Sequence, residues 1–115
     1  MSLPAWAIIL AGTWAIVNGL LHDIFVLRSE HGKVYNRNLL RLLMDGHILI
    51  TCGAVQLLAF SGIDKHEPWA YYIAVIATIS LLAYCAMIWS FLKSVGTITI
   101  NAVALGILVW GYFQV

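Results

Sequence analysis

Charge is what this chain has least of. Six Lys or Arg and five Asp or Glu among 115 residues make 10%, where soluble domains carry about a quarter. A globule of this length must cover a large surface with polar side chains, so the shortage excludes an ordinary soluble domain. A net charge of +1 excludes the clustered basic face that nucleic-acid binding needs. Cysteine is scarce too: Cys52 and Cys85 are too few for a disulfide framework and fall inside apolar runs, where a free thiol acts as a compact apolar side chain. The chain has no G-x-S-x-G elbow, phosphate-cradling glycine loop, dinucleotide fingerprint, H-E-x-x-H or C-x-x-C-H, so no motif marks it as an enzyme. No Lys or Arg precedes the first apolar run, which is therefore expected to remain in the mature chain and not to serve as a secretory signal.

What is present is hydrophobic: 63% of residues, with a mean hydropathy of +0.94. Disordered chains lack such residues. About 20 apolar residues in a helix cross a hydrocarbon core, and four stretches approach that length, about 4–27, 38–60, 68–92 and 94–113. Ser2 is placed to cap the first, with Pro4 in its first turn. The β-branched alternation Thr97–Ile98–Thr99–Ile100 reads as helix, because an isolated strand cannot cross a bilayer. The expected fold is all-α, a single transmembrane domain of four helices in an up-down bundle. Gly12, Ala15 and Gly19, then Gly46 and Gly53, then Gly106 are small enough to let helices approach closely.

Basic residues set the expected orientation. Arg28, Lys33, Arg37 and Arg41 flank the first connection and Lys93 the third, against Lys65 alone in the second. The first and third connections are thus expected in the cytoplasm and both termini outside it, in a bacterial inner membrane. Trp6, Trp69, Tyr71, Tyr72, Trp110 and Tyr112 would form the outer aromatic belt, and Tyr35 and Trp89 would sit at the inner interface. The outer turn Asp64–Lys65–His66–Glu67 reads as solvated.

Polar residues inside the spans carry the functional expectation. At about 1.5 Å per residue, His22 lies about 9 Å in from Arg28 and Asp23 about 7 Å. From Arg37, Arg41 is about 6 Å deep, Asp45 about 12 Å and His47 about 15 Å; from Lys93, Asn101 is about 12 Å deep. Three helices thus contribute to one inner-leaflet layer, which Asn18 extends toward the midplane. Helical phase puts Asn18 with His22, Asp23 with Gly12 and Gly19, and Arg41 with Asp45, Cys52 and Gln56; His47 falls on another face with Thr51, and Thr97 pairs with Asn101.

Such residues usually face a cavity or a partner. The leading expectation is a polar cavity on the inner side that binds a small ligand or ion through His22, Asp23, Arg41, Asp45, His47, Asn18 and Asn101, with or without proton coupling. The ligand classes that fit are an ion, a lipid-like molecule or a quinone. The alternative with the same residues is a charged hairpin that ties an accessory or scaffold subunit together within a homo-oligomer or a larger membrane complex. A further alternative is haem held through His22 and His47. In size the chain resembles the small multidrug transporters, but their embedded Glu has no counterpart in its first helix.

Overall fold

The computed structural model describes residues 2–90 and 93–114. It contains four long helices: α1 (Leu3–Arg28), α2 (Arg37–Asp64), α3 (Pro68–Met87) and α4 (Val95–Tyr112), with a 3₁₀ turn at Glu30–Lys33. Each helix packs on its chain neighbours and α4 returns to α1, closing an up-down bundle of 50 × 25 × 18 Å. All four are long and apolar enough to cross a membrane. Their outward faces carry large apolar side chains, such as Phe25, Leu58, Ile76 and Met87.

Local sequence sets most helix ends. Ser2 Oγ accepts from Ala5 N at 3.4 Å, with Pro4 in the first turn, and Asn36 Oδ1 accepts from Leu39 N at 2.9 Å to open α2. The α2–α3 turn is a Schellman cap. Glu67 N bonds back to Gly62 O at 2.8 Å and His66 N to Ile63 O at 3.0 Å, and His66 takes a φ of 59°. Because Ser61–Asp64 keep helical geometry up to this cap, α2 runs a turn beyond the expected end at residue 60.

The α1–α2 interface is the closest. A Cβ on Gly12 would stand 2.9 Å from Gly53 O, and one on Gly19 would stand 2.5 Å from Gly46 O. Pairs 12–53 and 19–46 define one antiparallel register, with a seven-residue step between the small positions on each helix. Helices associate in membranes through such backbone contact. At the end that holds the termini, Ala5, Ile8, Ala59, Ile63, Ala70, Ala74 and Leu108 pack around Tyr71. Tyr71 is therefore a core residue, 1% exposed, and not part of an outer belt: it sits on the inward stripe of α3 with Ala70, Ala74 and Ala77.

The helices differ in length, and this shapes the opposite end. At 26 and 28 residues, α1 and α2 measure about 39 and 42 Å. The 20 residues of α3 and 18 of α4 give about 30 and 27 Å. The third helix was expected to reach Leu92. It stops at Met87 and turns through Ile88–Ser90; Phe91 and Leu92 lie outside the described residues. The apolar run continues through the turn, so hydropathy does not mark the end. Two bonds fix the offset: Trp14 Nε1 donates to Thr97 Oγ1 at 3.1 Å, and Gln56 Nε2 donates to Asn101 Oδ1 at 2.9 Å. The start of α4 therefore meets the middle of α1 and α2, and the third connection is recessed inside the first.

Candidate functional site

The recess has a chemical lining. Where α4 starts, Lys93, Ser94 and Thr97 face Asn18, His22 and Phe25 of α1 across a cleft of about 410 Å³. With Thr97 bonded to Trp14 in the middle of α1, Lys93 stands well inside Arg28. His22 and Lys93 are the titratable groups in this lining, and none of the lining residues is acidic.

His22 is held in place. Its Nε2 lies 3.0 Å from Leu42 O; a carbonyl only accepts, so Nε2 carries the hydrogen and Nδ1 is left for another partner. The Asn18 amide turns back to donate from Nδ2 to Trp14 O at 2.8 Å. Lys93 Nζ lies 5.8 Å from the centroid of Trp89, a cation–π distance. Ser94 supplies no side-chain cap to α4, so the first N–H groups of that helix lack this partner.

The remaining sequence-derived residues divide. Asp23 lies on the other side of His22, against α2, where Oδ1 is buried over Gly46 without a hydrogen-bond partner. His22, His47 and Asp45 are its titratable neighbours. Asp45 faces α3 beside the Tyr84 hydroxyl. His47 is exposed, with Nε2 3.3 Å from Thr51 Oγ1. Each histidine has its Nε2 engaged by the protein, so neither offers that nitrogen to a haem iron.

Two expectations need correction. Arg41 does not pair with Asp45: among the described residues the ion pair is Lys33–Glu30 at 3.3 Å. Arg41 is exposed at the end of α2 while Asp45 turns toward α3. Nor does Asn101 join the inner layer. Counting its depth from Lys93 assumed that the first and third connections end level, and the recess moves Asn101 to the bundle centre.

There it belongs to a fully buried polar triad that the sequence reading did not assemble. Gln56 Nε2 donates to both Asn101 Oδ1 and Thr78 Oγ1, at 2.9 and 3.0 Å. Asn101 Nδ2 donates to Thr97 O and the Thr78 hydroxyl to Ala74 O, at 2.9 and 2.7 Å. These carbonyls only accept, which sets the direction of each bond and leaves Gln56 Oε1 buried without a partner. The placement of Gln56 on the stripe of Asp45 and Cys52, facing α3, was the available signal.

Among the described residues no group of three or more His, Cys, Asp or Glu is arranged to hold a metal ion. The chain matches no family model, no curated protein and no solved structure.

Proposed function

We propose that this is an integral membrane binding protein whose recessed cleft takes the anionic head of a lipid-like molecule. The observation that carries the reading is the presence of both His22 and Lys93 in a cleft without an acidic group, beside the start of α4, which has no side-chain cap. A phosphate or carboxylate head would accept from Lys93 Nζ and from first-turn N–H groups of α4 beyond Val95, whose own N–H donates to Lys93 O at 2.9 Å, with His22 on the facing wall. Thr97 and Asn18 would flank it. Excess basic residues at this end support a cytoplasmic placement, with both termini on the other side.

Thermal stability in nanodiscs tests the reading. Phosphatidic acid should raise the melting temperature above that in phosphatidylcholine of the same chains, and Lys93→Gln or His22→Leu should remove the difference. Equal stabilisation by both lipids overturns it. For orientation, in a Cys52→Ala/Cys85→Ala background, a cysteine replacing Asn36 should resist an impermeant maleimide applied outside cells, while one replacing Lys65 should react.

A second reading, proton-coupled exchange of that ligand, is favoured by Asp23. One of its carboxyl oxygens is buried against α2 without a hydrogen-bond donor, beside the cleft, an arrangement that a structural ion pair does not explain.

A further inference from the structure

The cleft stops at the ring of Trp14, and the α1–α4 seam goes on beyond it. The cleft shares Trp14 with a second, apolar depression of about 580 Å³ that follows the same α1–α4 seam toward the termini, between Leu3, Trp6 and Leu10 on one side and Val103 and Ile107 on the other. The Trp14 indole is the divider. Its N–H is tied to Thr97 Oγ1, and its ring rests on Gly96, where a Cβ would stand 2.7 Å from the indole Cζ2. The seam is thus polar at one end and apolar along the rest.

Its length selects the occupant. From His22 to Leu3 there are 19 helical steps, about 28 Å, whereas one leaflet supplies only about 15 Å of hydrocarbon. An acyl chain of ordinary leaflet depth would leave the groove near the termini unfilled. We propose, on the basis of the head-group reading above, that the whole seam binds one long-chain amphiphile of the polyprenyl phosphate class. Its phosphate sits between His22 and Lys93, and its chain passes Trp14 and crosses the bilayer midplane to reach Trp6 and Ile107. Leu10 and Val103 form the middle of the tail path, and both face outward, at 61% and 57% exposure.

The test is competition in nanodiscs, read by native mass spectrometry, among polyprenyl phosphates graded from geranyl to undecaprenyl, with dipalmitoyl phosphatidic acid as the leaflet-length control. Occupancy at equal mole fraction should rise roughly tenfold from the shortest chain to the longest, and the longest should displace phosphatidic acid. Leu10→Trp and Val103→Trp fill the groove from exposed positions and should abolish the preference for long chains while retaining phosphate-dependent binding. Their melting temperatures check that the bundle is intact. Binding independent of chain length overturns the tail path and leaves the head site standing; no phosphate-dependent binding at any length overturns both.

Discussion

Gly46 lies directly against Asp23. A methyl group at Gly46 would collide with Asp23 Oδ1 and stand 2.6 Å from the carbonyl oxygen of Gly19. Backbone cannot yield as a side-chain tip can, so Gly46→Ala should separate the α1–α2 pair and cost about 1–3 kcal/mol. Thermal unfolding in detergent measures this. Gly106→Ala is the matched control: its added methyl meets nothing within 4 Å, and it should be neutral or stabilise by up to about 1 kcal/mol.

The triad gives a coupling prediction. Gln56→Leu strands Asn101 Oδ1 in the core, and Asn101→Leu frees one hydrogen of Gln56 Nε2. Each should lower stability by about 1–3 kcal/mol. The double variant should lose less than the sum, by about 0.6 kcal/mol and at most about 1.7 kcal/mol, the mean and the maximum of hydrogen-bond couplings between membrane helices. A double-mutant cycle by denaturant titration supplies the number.

His66 sits in the left-handed region for the sake of the Schellman cap. A glycine adopts that backbone without a Cβ penalty, so His66→Gly should stabilise the α2–α3 hairpin by about 1 kcal/mol. His66→Val should destabilise it, because a β-branched residue tolerates the conformation worst. The two melting temperatures should move in opposite directions from wild type.

Asp23→Asn separates a structural carboxyl from a proton-exchanging one. The amide keeps the shape and cannot titrate. If Asp23 exchanges a proton during the ligand cycle, Asp23→Asn should change the pH profile of stabilisation by anionic amphiphile and leave only the part owed to His22 and to the phosphate itself, at an unchanged melting temperature without ligand. A fall in that ligand-free melting temperature would instead assign Asp23 to the hairpin alone.

The α1–α2 pair was readable because a seven-residue step returns a helix to within about 20° of the same face. Gly12 with Gly19, and Gly46 with Gly53, therefore lie opposite one another, and Asp23 follows them. Helical phase also separated His47 from Asp45. Depth across the bundle was not readable. It depends on how far each helix slides along its neighbours, and that slide is decided by side chains far apart in sequence, Trp14 with Thr97 and Gln56 with Asn101. The turn at Ile88–Ser90 and Tyr71 in α3 misled for a related reason: hydropathy treats an apolar turn, an interfacial ring and a core ring alike.

The recessed third connection has a consequence for the lipid around the protein. Along α1 and α2 the bilayer meets helices of about 39–42 Å, and along α3 and α4 only about 27–30 Å. One molecule therefore presents two helix lengths to one membrane. A bilayer matched to the shorter side would thin there and bring headgroups and water toward the mouth of the cleft. An amphiphile would find its way in from that thinned edge, laterally through the membrane, without first crossing an aqueous space.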